Sequence, residues 1–224
     1  MPAHDEGRAH PAPSLREVFD RAAHADTRLR VDAQAPIYAN GDEDESMYLI
    51  ESGQVKLSMS SAAGKDCLLA IYTAGDVFGE SCFTASTKRF ETATAMQPTV
   101  VRRASRGDFL AAVERTRATE ALLAHLAKRI AERQTAVFDL VTMPSERRLA
   151  KVLLGVAEKL GTPQGAYLRL DQKISHEELS QIVGTTRPRI TAFMQRFRER
   201  GLIVTIGRAI SVHRDKTREF AEAD

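Results

Sequence analysis

The segment from Ser175 to Ile203, "SHEELSQIVGTTRPRITAFMQRFRERGLI", constrains the chain more than any other. Ser175 and Glu178 stand in the S-x-x-E spacing of a capping box, where hydroxyl and carboxylate each take a backbone N–H that a first helical turn leaves free. Leu179, Ile182 and Val183 form the inward face of this helix, and Gly184 ends it. Thr185 and Thr186 follow. With the Thr186 hydroxyl capping the next helix, Arg187 and Pro188 take its first two positions, whose amides have no partner within a helix, so the proline costs little there. Two capped helices joined by a glycine turn predict a helix-turn-helix.

In the second helix Ile190, Phe193, Met194 and Phe197 share one face and predict its buried side. The opposite face is centred on Pro188, Ala192, Gln195 and Glu199, with Arg187, Thr191 and Arg198 on one flank and Arg189 and Arg196 on the other. A narrow ridge with arginine shoulders suits the DNA major groove, the guanidinium groups reaching phosphates or guanine edges. The predicted DNA-binding residues are Arg187, Arg189, Thr191, Gln195 and Arg196, with Thr185 and Thr186 from the turn and His176 from the preceding helix. "GLIVTIGRAISVH" alternates around Gly207 and reads as a hairpin, the wing of a winged helix. An arginine-rich helix alone fits a solvated face equally well; the succession of capping box, glycine turn, second helix and hairpin favours DNA.

Charge agrees. The net charge of +2 is uninformative, but residues 1–144 carry 17 Lys and Arg against 20 Asp and Glu, and residues 145–224 carry 15 against 10. Only the back of the chain is basic, as expected if only the back meets phosphates.

Upstream, residues 1–13 lack any period and predict a flexible terminus, with His4 and His10 solvated. A short helix is expected from about Ser14, with Leu15, Val18 and Phe19 at helical spacing. From about Leu29 to Val113 short strand-like runs alternate with turns such as "NGDED", "ESG" and "AGD", which predicts a β jelly roll. From about Thr116 to Val141 the pattern is helical. Leu123, Ile130 and Val137 recur every seven residues, with Leu126, Arg133 and Leu140 three places after each, the seam of a two-stranded coiled coil and hence of a homodimer. Pro144 breaks this helix, residues 141–145 read as a hinge, and Ser145 is placed to cap the next helix, whose stripe is Leu149, Val152, Leu153 and Val156. The predicted architecture is α+β: a sensor domain over 14–116, a dimerisation helix and hinge over 117–143, and a winged helix-turn-helix over 144–224.

No apolar run is long enough for a membrane span, and the first thirty residues lack the apolar centre of a signal peptide, so a cytoplasmic protein without a membrane partner is expected. Cys67 and Cys82 have no C-x-x-C spacing, so reduced thiols and no bound metal are expected. Cys82 reads either as a redox thiol or as a small buried side chain.

The chain resembles the cyclic-AMP receptor protein / fumarate–nitrate reduction regulator (CRP/FNR) family of bacterial transcription factors. The resemblance rests on "GDEDESMYLIESGQVKL" (Gly41 to Leu57), "GDVFGE" (Gly75 to Glu80) and Glu177 to Ile203, and covers about residues 14–214. It implies a cyclic-nucleotide-binding-like sensor domain whose effector repositions two DNA-binding domains, double-stranded DNA as ligand, and contact with RNA polymerase, for which the equivalent loop is about Gly161 to Ala166. In well-known members the second residue of the reading helix is acidic and an arginine follows four places later; here those positions hold Pro188 and Ala192, so a half-site other than TGTGA is expected. Arg187 matches the family's first recognition-helix arginine, and Arg189 is additional.

The family's phosphate cassette begins Gly-Glu and ends Arg-Ser-Ala or Arg-Thr-Ala. Gly79, Glu80 and Ser81 keep its start and Arg89 aligns with the phosphate arginine, but Phe90 and Glu91 replace the hydroxyl and the alanine. If residues 89–95 are extended, Arg89 and Glu91 share a face, and the carboxylate can pair with the guanidinium and repel a phosphate. The purine-contacting pair aligns with Arg133 and Gln134. Three readings stay open: a cyclic nucleotide (cAMP or cGMP), another effector, or none.

An iron–sulfur sensor is disfavoured because residues 1–30 hold no cysteine, and haem because residues 29–113 hold no histidine, His125 reading as a surface or packing residue. The alternative to a DNA-binding regulator is a cyclic-nucleotide-responsive module acting on a protein partner, which leaves the arginine-rich helix unexplained. An enzyme is not expected: no nucleophile elbow, P-loop or H-E-x-x-H occurs, and Asp42, Asp44 and Glu45 read as a solvated turn.

Overall fold

The computed structural model describes residues 13–22, 28–62, 64, 66–171, 174–207 and 209–223; the flexible terminus expected over 1–13 lies, apart from residue 13, outside them. The front half is a β sandwich. Strands β1 (Arg28–Val31), β2 (Pro36–Tyr38), β3 (Ser46–Ser52), β4 (Gln54–Ser60), β5 (Asp66–Thr73), β6 (Val77–Phe78), β7 (Thr92–Ala95) and β8 (Thr99–Ser105) form two antiparallel four-stranded sheets, ordered β1-β8-β3-β6 and β2-β7-β4-β5. β3 is buried along both faces because each has a cover. Tyr48 and Ile50 meet Tyr72, Phe78 and Val55 between the sheets, while Met47 and Leu49 pack on helix α1 (Leu15–Ala22), helix α2 (Arg106–Thr116) and the start of α3 (Thr119–Thr142).

Helix α2 corrects the expectation of strands up to Val113. Ser105 caps it by accepting from the Asp108 amide, and Phe109, Ala112 and Val113 fall at helical spacing on the buried side. The long helix α3 begins three residues later than expected, and Pro144 separates it from α4 (Ser145–Leu160). No Ser145 hydroxyl caps α4; Pro144 occupies the capping position.

In the back half, β9 (Thr162–Gln164), β10 (Tyr167–Leu170), β11 (Ile203–Ile206) and β12 (Ala209–His213) form a sheet ordered β11-β12-β10-β9. Helices α5 (His176–Val183) and α6 (Arg187–Glu199) share one core with α4: Leu149, Leu153, Leu179, Ile190 and Phe197 are fully buried. A C-terminal helix, α7 (Arg214–Glu222), unforeseen in the sequence, covers α4, and the loop expected at 161–166 is an exposed β9–β10 hairpin.

The halves touch. Ile71 of β5 packs against the core of the back half, Lys56 Nζ of β4 lies 2.9 Å from Glu178 Oε1 of α5, and Lys159 Nζ of α4 lies 2.6 Å from Asp76. Where α3 gives way to α4, the Arg148 guanidinium donates to the carbonyls of Asp139, Leu140 and Met143 and to that of Val183 at the end of α5. No helix among the described residues is long and apolar enough to cross a membrane.

Candidate nucleic-acid interface and effector site

The capping box closes as its spacing requires. Ser175 Oγ accepts from the Glu178 amide at 3.1 Å, and Glu178 Oε2 accepts from the Ser175 amide at 3.0 Å. Burial works against the charged Glu178 carboxylate, but hydrogen bonds from Lys56 and Ser175 outweigh it and hold its pKa below the ordinary value. Gly184 takes the left-handed conformation at φ 67°, and a Cβ there would stand 3.0 Å from the Leu140 side chain, so conformation and space both favour glycine. Thr186 holds the N-cap position of α6, but its hydroxyl makes no cap bond; Pro188, with no amide hydrogen, reduces the number of groups that need one.

Ile190, Phe193, Met194 and Phe197 are buried, which leaves Arg187, Pro188, Arg189, Thr191, Ala192, Gln195 and Arg198 on the exposed side of α6. The predicted DNA-binding residues do not behave alike. Neither Arg187 nor Arg189 has a carboxylate partner among the described residues, although Arg189 lies over the Phe193 ring. Arg196 turns away from the exposed ridge and binds Glu146 of α4 at 2.8 Å. Thr191 is held from both sides, by His176 Nδ1 at 2.9 Å and by the Arg187 carbonyl. Gln195 donates to Glu199 within α6, Thr186 is exposed and Thr185 half-buried. Arg198, outside the predicted set, donates to Thr205 of β11 and ties α6 to the wing. His176, Arg187, Arg198 and Thr205 line an open cleft of about 540 Å³ between α5, α6 and the wing.

The cassette is also assembled, but inward. Gly79 at φ 99° lets the chain pass so close to β3 that a Cβ would lie 2.7 Å from the Ser46 carbonyl. Arg89 is 2% exposed and packs 4.2 Å from the centre of the Tyr38 ring. Its Nε and Nη2 donate to Asp44 Oδ2 at 3.0 and 2.7 Å, Nη1 donates to the Gly79 carbonyl and to Ser81 Oγ at 2.8 and 2.6 Å, and Nη2 also donates to the Ser46 carbonyl. A guanidinium has five N–H donors, and all are engaged.

This corrects two expectations. Asp44 is no solvated turn residue: it bridges Arg89 and Arg103, and hydrogen bonds from Arg89, Ser46 and Tyr48 overcome its burial and lower its pKa. Nor does Glu91 pair directly with Arg89. The chain bends at residues 90 and 91 and becomes a strand only at Thr92, so the two side chains meet through Ser81, whose Oγ accepts from Arg89 and donates to Glu91 Oε1 at 2.6 Å. The Tyr38 hydroxyl donates to the same oxygen, and Glu91 is 3% exposed. Both effects raise the Tyr38 pKa: burial first, then the neighbouring carboxylate.

Glu80 turns to α3. His125 Nε2 lies 2.7 Å from its Oε1 and Arg129 Nε donates to the same oxygen at 3.0 Å, which corrects the reading of His125 as a mere surface or packing residue. Burial opposes the charge of Glu80, and the bonds from His125, its own backbone amide and Arg129 outweigh burial, so its pKa lies below the usual glutamate value. Arg133 donates to the Leu69 carbonyl and to the Tyr72 hydroxyl, whose pKa burial pushes up to about 12. Gln134 is exposed. Burial raises the Cys82 thiol to about 11, so it is uncharged at neutral pH and fits the small buried side chain rather than the redox thiol.

Along α3, Leu123, Ile130, Val137 and Leu140 are more than half exposed, as a seam without its partner would be, and Phe138 and Val141 extend the same apolar face. Leu126 differs: it is half-buried against its own domain's core. Phe138 and Val141 escaped the heptad pattern because a straight helix of 3.6 residues per turn drifts from a strict repeat of seven. No group of His, Cys, Asp and Glu able to hold a metal ion occurs among the described residues.

Residues 28–116 match the cyclic nucleotide-binding domain family, and residues 147–216 match the Crp-like helix-turn-helix domain family. The CRP-like cAMP-activated global transcriptional regulator of Mycobacterium tuberculosis is 31% identical over 179 residues, 79% of this chain and 79% of its own. The global nitrogen regulator of Synechocystis is 28% identical over 204 residues, 90% of this chain and 85% of its own. FixK2 from Bradyrhizobium japonicum has the same fold, with a TM-score of 0.76 at 19% identity over 88% of this chain and 98% of its own.

Proposed function

We propose, from the premise that this chain belongs to the CRP/FNR family of transcription regulators, that it binds DNA as a cytoplasmic homodimer and does so without a cyclic nucleotide. One observation carries the second half of this reading: all five donors of Arg89 are engaged inside the protein. An incoming phosphate would have to displace the Asp44 carboxylate and also face the buried Glu91 carboxylate. Glu80 is likewise held by His125 and Arg129. The mycobacterial relative is a cAMP-activated regulator; in this chain Glu80, Ser81 and Arg89 of the corresponding cassette already have partners.

The exposed ridge of α6 supports reading of the major groove by Arg187 and Arg189, with Thr191 and Gln195 beside them and Thr185, Thr186 and His176 at the entry. Pro188 and Ala192 offer no hydrogen-bonding side chain where an acidic residue and an arginine stand in well-known members, so the selected half-site should differ from TGTGA. The seam Leu123, Ile130, Val137 and Leu140 supports the dimer, Leu126 contributing from its half-buried position. The exposed β9–β10 hairpin is the surface offered to RNA polymerase.

The test is a fluorescence-anisotropy titration against DNA upstream of the protein's own coding region, with and without saturating cAMP or cGMP, paired with calorimetry of each nucleotide alone. Equal DNA affinity in all conditions and no binding heat are expected. DNA binding that appears only with a nucleotide would refute the ligand-free reading. Binding of no DNA, under conditions where the protein is folded, would refute the reading of α6.

A further inference from the structure

We propose that Phe90 carries the interface between two copies from the α3 seam onto the sensor domain, each Phe90 packing against α3 of the other copy. This rests on the dimer reading above and adds a contact that a coiled-coil seam does not include.

Phe90 is 46% exposed, while its neighbours Arg89 and Glu91 are 2% and 3% exposed. This inverts the usual sorting, in which an aromatic ring goes inside and charges stay out. The inversion has a local cause: Arg89 is fixed by Asp44, Ser81 and two carbonyls, and Glu91 by Ser81 and Tyr38, so the residue between them is turned outward. The ring reaches a groove of about 880 Å³ that it lines together with Leu126, Ile130, Val137 and Phe138 of α3. Sensor loop and seam helix thus form one continuous apolar face. Monomeric proteins rarely leave so large a face uncovered.

A second copy is the occupant that the pattern specifies. Leu123, Ile130 and Val137 recur every seven residues and remain exposed, and such a repeat is complementary to itself when two helices run in parallel and in register. A two-fold axis along the seam brings the partner's α3 over the open side of the groove, and symmetry makes the contact twice. The cassette's polar network thereby becomes a support for the dimer, because it holds Phe90 at the surface.

The experiment is sedimentation equilibrium of the full chain, comparing wild type with Phe90→Ser, Phe90→Leu and Ile130→Ser, each checked by thermal melting. Phe90 is half-exposed in the single chain, so Phe90→Ser should still fold and melt cooperatively while its dimer dissociation constant rises roughly tenfold or more, with Phe90→Leu recovering most of the loss. A wild-type dimer weakened by Ile130→Ser but not by Phe90→Ser would overturn this inference alone and assign the groove to another occupant, such as a small apolar ligand. A wild type that stays monomeric at tens of micromolar would overturn the dimer reading and this inference with it.

Discussion

The cassette around Arg89 and the exposed ridge of α6 both present arginines where the CRP/FNR family meets a phosphate-bearing ligand, yet the two treat their charge oppositely. In the cassette every donor of Arg89 has a protein acceptor, and Asp44 lies against it. On α6, Arg187 and Arg189 are exposed and have no carboxylate partner among the described residues. A guanidinium that serves an outside ligand must keep its donors available, while one that serves the fold must have them all satisfied, since an unmatched buried charge costs several kcal/mol. In the proposed reading the same side chain is therefore a receptor on α6 and a structural strut in the cassette.

The largest effect should come from breaking the strut. Arg89→Ala leaves the Asp44 carboxylate without its main partner and should lower stability by roughly 3–5 kcal/mol, read by urea denaturation. An Arg89→Ala protein that melts as wild type but no longer responds to an added ligand would reverse the comparison. Next, Arg187→Ala should weaken DNA binding by about 1–3 kcal/mol, or roughly five- to 150-fold, with stability unchanged. Arg196→Ala sharpens the contrast within one helix: bound to Glu146, it should affect DNA affinity less and melting more.

What the sequence made legible divides along the same line. The helix-turn-helix is written in near neighbours: Ser175 with Glu178, Gly184 at the turn, Pro188 in the first turn of α6. Each follows a rule that acts within four residues, so spacing alone reveals it. Two of the cassette's bonds join residues 45 apart in sequence, Asp44 with Arg89 and Glu80 with His125, and form only because the sheets close and α3 folds back on them. The Thr186 and Ser145 hydroxyls show the opposite error: Thr186 stands at the N-cap of α6 without making the bond, and Ser145 lies one residue inside α4, behind Pro144.

Acid should probe the strut through a second group. Glu80 has a folded pKa below its ordinary value of 4.5, so its contribution is complete above that value and is lost as pH falls through the lower, folded one. Stability should decline on acidification below about pH 4.5, and Glu80→Gln should flatten that part of the melting-temperature profile. The smallest effect belongs to the bridge between the regions. A double-mutant cycle on Lys56→Gln and Glu178→Gln should return a coupling of about 0.2–1 kcal/mol, as befits a partly exposed ion pair.

Arg148 fixes the geometry with which any such pair of domains can meet an operator. Its guanidinium fastens the last turn of α3 to the end of α5 through four carbonyls, so the reading helix inherits its direction from the seam helix rather than from a slack joint. Each base pair inserted between two half-sites turns one against the other by roughly 35° and moves it along the axis. A fastened joint follows that rotation poorly. Promoters served by this protein should therefore be sorted by the length of their spacer as strictly as by the letters of their half-sites.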